Sequence, residues 1–273
     1  MIKRNIPSSG EQLPVIGIGT WKTFDVSNNE TYPVLENILK EMYTNGGRLI
    51  DSSPMYGNAE KVIGDITLKM EMANDLFYAT KVWITGKQQG IAQMEASIQK
   101  MKRATIDLMQ IHNLVDWKTH LATLRQWKES GKTRYIGITH YTDDMHTELE
   151  NILRKEPIDF VQFNYSIQST HAEKRLLPAA ADLGVATLIN RPLGTGKIFH
   201  LVQDKPLPGW AKEYDIKSWA GYFLKYIIAH PAVTCVIPAT SDLKHAEDNF
   251  AGGIGVLPDE EMRKNMLAYF NNL

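Results

Sequence analysis

Three apolar runs of this sequence end on ionisable residues, Asp51, Lys81 and His112, and Tyr56 follows five positions after Asp51 in the loop Ser52–Gly57. Taken singly, each has a plain explanation. An aspartate after a strand commonly caps the next helix, and a lysine or histidine there is commonly solvated or paired in the core. Together they make a proton-transfer set. A phenol with a pKa near 10 is a poor acid at neutral pH, and a neighbouring ammonium favours its phenolate and lowers that value. Asp51 would hold the Lys81 ammonium and limit the cost of burying it. His112 would hydrogen-bond a substrate oxygen and orient it toward Tyr56. Such a set suits protonation of an oxygen that becomes an alkoxide as its carbon receives hydride. That is carbonyl reduction, and it calls for a nicotinamide.

The elements that must position these groups are β-rich runs alternating with amphipathic stretches. The runs are Val15–Gly19, Arg48–Asp51, Leu76–Lys81, Asp107–His112, Arg134–Thr139, Asp159–Asn164, Gly184–Asn190 and Val233–Pro238. Asn29–Asn45 sets Val34, Ile38, Leu39 and Met42 on one helical face, and Thr119–Ser130 does so with Leu121, Leu124 and Trp127 before stopping at Gly131. Thr142–Asp144 offers cap oxygens ahead of Met145–Leu153, which Pro157 ends. Eight βα units without a dividing linker predict one domain, residues 1–273, folded as a (β/α)8 TIM barrel. Met1–Leu13, turning at Pro7–Gly10, is expected to form a hairpin plugging its N-terminal end, and Asp259–Asn271 an extra outer helix. A barrel's active site lies where its strands end. Those ends carry Gly19–Trp21, Asp51, Lys81, His112, Thr139–His140, Gln162–Asn164, Asn190–Arg191 and Ala239–Ser241.

Composition narrows the field. A chain of 273 residues with 43% apolar and 22% charged residues is an ordinary globular one, and its net charge of -1 leaves no basic stripe for nucleic acid. No apolar stretch is long enough to span a membrane, and the N-terminal segment lacks a secretory apolar core, so a cytoplasmic location is expected. Cys235 is the lone cysteine and should be a small buried hydrophobe. The histidines lack metal-ligand spacing, so no metal is expected. Gly194-x-Gly196 lacks the third glycine of a Rossmann fingerprint. Nothing in the sequence specifies an oligomeric state.

The segments LPVIGIGTW (13–21), RLIDSSPMYGNAE (48–60), FYATKVW (77–83), DLMQIHN (107–113), GKTRYIGITHY (131–141), DFVQFNYS (159–166), RPLGTG (191–196) and VIPATSDLKHAEDN (236–249), in this order, resemble the aldo-keto reductase family. The resemblance implies that Asp51, Tyr56, Lys81 and His112 are the catalytic tetrad, with Tyr56 the proton donor to an aldehyde or ketone. It implies NADP as cofactor, with NAD possible, and cofactor contacts from Gly19, Thr20, Trp21, Thr139, His140, Gln162, Asn190, Arg191, Leu193, Gly194, Gly196, Thr240, Ser241, His245 and Asn249. Trp21, Trp83 and Asn113 would line the substrate pocket, with Thr23, Phe24 and Phe199 in the specificity loops. Four departures stand out. His140 replaces the asparagine of a Ser-Asn pair that holds the carboxamide, with Thr139 keeping the hydroxyl. Asn190 occupies the place of an aromatic residue on which the nicotinamide stacks, and Arg191 would reach the pyrophosphate instead. Ala239 and His245 stand where a lysine and an arginine grip the 2′-phosphate, leaving Thr240, Ser241, Lys244 and a helix N-terminus for that anion and weakening discrimination against NAD. The segment after Gly252 is short, implying an open mouth. The loop Gly194–Asp215 would fold over bound dinucleotide. Two other functions fit the fold: a nucleotide-binding regulatory subunit with little turnover, and an isomerase or aldolase using Lys81 as a Schiff base.

Overall fold

The computed structural model describes every residue except Asn28, and of Asn29 the backbone alone. A hairpin of β1 (Lys3–Asn5) and β2 (Gln12–Pro14) precedes the main sheet. Eight parallel strands follow in chain order: β3 (Ile18–Gly19), β4 (Leu49–Asp51), β5 (Phe77–Val82), β6 (Ile106–His112), β7 (Thr133–Thr139), β8 (Phe160–Asn164), β9 (Ala186–Asn190) and β10 (Cys235–Val236). The first and last meet at the Ile16–Val236 bridge, where Gly17 N–H donates to Val236 O at 2.9 Å and Gly19 N–H to Pro238 O at 3.0 Å. The sheet thus closes into the expected barrel. Helices α1 (Tyr32–Thr44), α2 (Ala59–Lys69), α3 (Lys87–Lys100), α4 (Trp117–Glu129), α5 (His146–Leu153), α6 (Leu176–Asp182), α7 (Trp219–Ile228) and α8 (Leu243–Ala251) alternate with these strands, and α9 (Glu260–Asn271) follows. No helix among the described residues is long and apolar enough to cross a membrane.

Strand periodicity of two sorts the side chains. Leu49, Phe77, Ala79, Leu108, Tyr135, Phe160, Ala186, Leu188, Cys235 and Ile237 form one buried cluster with Ile6 and Leu13 of the hairpin: this is the barrel interior, plugged from below. The intervening residues, Ile50, Tyr78, Met109, Ile111, Ile136, Ile138, Val161, Phe163, Ile189 and Val236, belong to the larger cluster shared with the helices. Two residues further along each inward-facing row lie the polar positions: Asp51 after Leu49, Lys81 after Ala79, Thr139 after Gly137, Gln162 after Phe160 and Asn190 after Leu188. An apolar floor and a polar mouth therefore follow from the alternation alone. Cys235 is fully buried on the inner row, and burial pushes its thiol up and out of reactive range.

Details differ from the periodicity reading. Helix α1 begins at Tyr32 behind a short 3₁₀ turn, with Pro33 in its first turn, and buries Leu35, Ile38, Leu39 and Met42, whereas Val34 is exposed. The long β9–α7 connection is not free. It holds 3₁₀ turns at Gly194–Leu201 and Gly209–Tyr214, with Phe199 against Phe223 at 5.8 Å and Trp210 against Tyr222 and Tyr269 at 5.9 and 6.2 Å. The buried Lys225 ammonium fastens it further, donating to Tyr214 O, Ile254 O and Val256 O at 2.6, 2.7 and 3.0 Å.

Candidate active site

The register places Asp51, Lys81 and His112 on consecutive strands β4, β5 and β6 at the same rim. Lys81 is fully buried and donates to Asp51 Oδ2 at 2.6 Å and to Ser52 O at 2.7 Å. The other carboxylate oxygen, Oδ1, accepts from Gln110 Nε2 at 3.0 Å and Gln162 Nε2 at 2.9 Å, and Thr139 Oγ1 donates to Gln162 Oε1 at 3.0 Å. Burial opposes the charge on Lys81, but Asp51 and Tyr56 outweigh it and hold the pKa above the usual amine value. The lysine nitrogen lies 5.1 Å from the centroid of the half-buried Tyr56 ring. His112 meets that ring edge-on at 5.8 Å, and Trp83 lies 6.3 Å from His112. Burial, then the charges of Lys81 and His140, drive the His112 pKa down to about 2, so its imidazole is neutral at physiological pH. The four expected groups meet.

One electrostatic expectation is corrected. From the sequence, Lys81 is expected to lower the Tyr56 pKa. Lys81 does act in that direction, yet desolvation at the crowded mouth, aided by the Asp51 charge, more than offsets it and raises the phenol above its ordinary value. Before substrate binds, Tyr56 is a neutral phenol carrying its proton.

The remaining candidates sit around this centre. Trp21 and Trp83, with Met55 and Ile84, are each more than a third exposed and form an apolar rim. Asn113 leaves β6 with a left-handed backbone, φ 53°. Phe24 does not line the mouth: the chain turns at Thr20–Phe24 and tucks that ring fully into the core, and Phe199 is spent on Phe223. Gly19 and Thr20 are buried, and Thr20 Oγ1 lies 3.0 Å from both Asp51 O and Ser52 Oγ, so this hydroxyl serves the barrel wall. His140 stacks on Tyr141 at 5.2 Å, and the Arg191 guanidinium packs over the same tyrosine at 4.3 Å. Asn190 Nδ2 donates to His140 O, while its Oδ1 is buried with no partner. Arg191, Gly194 and Thr195 line a recess of about 280 Å³ with Asn164, Ser166 and Gln168. Leu193 is partly buried beside it, and Gly196 is exposed with φ 86°. Thr240 and Asn249 are buried, and Ser241, Lys244 and His245 are exposed. The cap of α8 is Asp242, whose carboxylate accepts the His245 N–H at 3.1 Å. That helix N-terminus already carries a negative charge of its own.

The sequence signature of the Aldo/keto reductase family matches residues 15–265. The chain belongs to the aldo/keto reductase family. It is 27% identical over 211 residues to an aldo-keto reductase of Gibberella moniliformis, and spans 62% of that protein's length with 71% of its own. It is similar to methylglyoxal reductase YeaE of Escherichia coli, 26% identical over 260 residues covering 92% of this chain and 89% of that one. Among solved structures, an aldo-keto reductase from Klebsiella pneumoniae in complex with NADPH shares the fold at TM-score 0.83 and 21% identity, over 99% of this chain and 96% of that chain.

Two residues of this aldo/keto reductase escape the sequence argument. Gln110 lies two positions before His112 on β6 and therefore faces the interior with it, a parity the sequence displays. Ser53 lies in the Asp51–Tyr56 loop, fully buried, its Oγ 2.9 Å from His112 Nδ1. No local pattern reveals that contact, because the partners are 59 positions apart. Among the described residues no cluster of His, Cys, Asp or Glu could hold a metal ion.

Proposed function

We propose that this chain reduces small aldehydes or ketones to alcohols with a nicotinamide dinucleotide, NADPH by preference, and that Tyr56 is the general acid. The convergence of a protonated phenol, a charged lysine and a neutral imidazole at one rim carries this reading. The buried Asn190 Oδ1 without a partner fits a nicotinamide carboxamide, whose NH2 it would accept. Thr139, His140 and Gln162 are the other candidates for that group, Arg191 and the glycine-rich turn Gly194–Gly196 for the pyrophosphate, and Asn249 for the adenine. Bound there, the nicotinamide supplies hydride to the carbonyl carbon.

The chain's own residues do the rest. His112 is neutral and a ring N–H can donate to the carbonyl oxygen, polarising it without giving up a proton. Tyr56 protonates that oxygen as it becomes alkoxide, a far stronger base than phenolate. Lys81 stands ready to stabilise the phenolate left behind, and Asp51 keeps it charged and in place. The apolar rim of Trp21, Met55, Trp83 and Ile84 favours a carbonyl with an apolar flank. Similarity to a methylglyoxal reductase supports reactive small aldehydes as a first panel.

Tyr56→Phe tests the assignment. Turnover of NADPH with an aldehyde panel should fall by about 10²–10⁴-fold, the usual contribution of a general acid, while dinucleotide affinity measured by fluorescence quenching stays near wild type. A variant keeping most of its rate would remove Tyr56 from the role.

A further inference from the structure

The His112 ring has two nitrogens, and which one carries the proton decides whether it can serve a substrate oxygen. Nδ1 lies 2.9 Å from Ser53 Oγ, and no other hydrogen bond to the ring occurs among the described residues. Ser53 Oγ has one further neighbour, the Met55 backbone N–H, which donates to it at 3.2 Å. A hydroxyl has one proton to give. Were Nδ1 protonated, it would donate to Ser53, and the serine proton would be stranded in a fully buried place between two donors. With Nδ1 bare, Ser53 donates to it while still accepting from Met55, and the one donor left without a partner is the ring's Nε2–H.

We propose that Ser53 is a positioning residue that donates to His112 Nδ1 and fixes the imidazole as its Nε2–H tautomer, leaving that N–H for the oxygen of a carbonyl substrate. The proposal deepens the reductase reading and rests on it for the role of His112. It also divides labour at the site. A neutral ring whose far nitrogen is tied to a serine hydroxyl holds the substrate oxygen but does not exchange its proton with it, so the transferred proton comes from Tyr56.

The test uses ¹⁵N-labelled protein and long-range ¹⁵N–¹H imidazole correlations, with His112 assigned by the signals lost in His112→Gln. Wild type should show a single Nε2–H tautomer at neutral pH. Ser53→Ala should show mixed or Nδ1–H character, and its kcat should fall about tenfold to a hundredfold, as when a hydrogen bond ordering a functional imidazole is deleted. The KM for NADPH should not move. Ser53→Thr, which restores the hydroxyl, should recover both the tautomer and the rate. A wild-type spectrum of the Nδ1–H form overturns the proposal, as does Ser53→Ala with unchanged kcat. If wild type shows the Nε2–H form, Ser53→Ala loses it, and no variant turns over any carbonyl, the tautomer lock stands and the reductase reading fails.

Discussion

Replacing Asp51 by Asn strips the countercharge from a lysine with no access to water. Lys81 then keeps neutral acceptors alone, the Ser52 carbonyl, the Tyr56 hydroxyl and an amide oxygen. Breaking one side of a buried pair costs about 3–5 kcal/mol. A second route gives the same range. The lysine can lose its proton, and from an ordinary value of 10.5 this costs at most about 5 kcal/mol at pH 7, at roughly 1.36 kcal/mol per unit. For a chain of this size the loss corresponds to a Tm drop of about 6–20 °C. The sign of the pH dependence follows. In the variant the folded state binds fewer protons at Lys81 than the unfolded state, so its stability rises with pH up to the unfolded value. By pH 9 the ceiling has shrunk to about 2 kcal/mol. Adding Lys81→Met removes the second charge, and the double variant should melt within a few degrees of wild type while remaining inactive. Thermal melts followed by circular dichroism at pH 7 and pH 9 read all of this. An Asp51→Asn protein that melts like wild type at pH 7, or whose deficit fails to shrink at pH 9, refutes the reasoning.

His112 should shape the acid limb of stability. It is neutral when folded, with a pKa near 2, and protonates at its ordinary 6.5 when unfolded. Between these values the unfolded chain binds more protons, so stability is full above 6.5 and falls with acid, by about 3 kcal/mol at pH 4. Urea midpoints at pH 7 and pH 4 should therefore differ less in His112→Gln, and an equal difference would contradict the burial argument. Asp242→Asn keeps a capping side chain on α8 but removes its charge. If the 2′-phosphate docks at that helix end, NADPH should bind about two- to fivefold tighter with NADH unaffected. Fluorescence titration with both nucleotides decides it, and equal changes would place the phosphate elsewhere.

The architecture was legible because barrel strands write themselves as short apolar runs; Asp51, Lys81 and His112 were legible because they lie at the ends of such runs, and Tyr56 because it follows the first of them by five positions. Inward and outward rows could be counted from the same parity, which is why Gln110 was available to the sequence. What stayed hidden depends on contacts between distant segments. Phe24 reads as a loop residue at the mouth, but the turn at Thr20–Phe24 carries it inward, with Lys22 at φ 63°. Val34 fits a helical face numerically, yet the helix is rotated so that Leu35 takes the buried side. The acidity of Tyr56 hinges on how much water the assembled rim excludes, a quantity no spacing records. Ser53 is an unremarkable serine until β6 brings an imidazole beside it.

The layered interior governs where protons travel. Beneath Asp51 the lumen is lined by Leu49, Phe77, Ala79, Leu108, Phe160 and Leu188; on the inward row of β7 the Tyr135 hydroxyl is bonded to Ser9 and Glu11 of the hairpin, and that of Thr133 lies against Ile106 O and Tyr135 O. Among the described residues no hydrogen-bonded chain joins the Asp51 carboxylate to them. On the proposed reading of Tyr56 as the general acid, the barrel is a blind vessel for acid, and each proton given away must be replaced from above, through the same opening by which the product would depart.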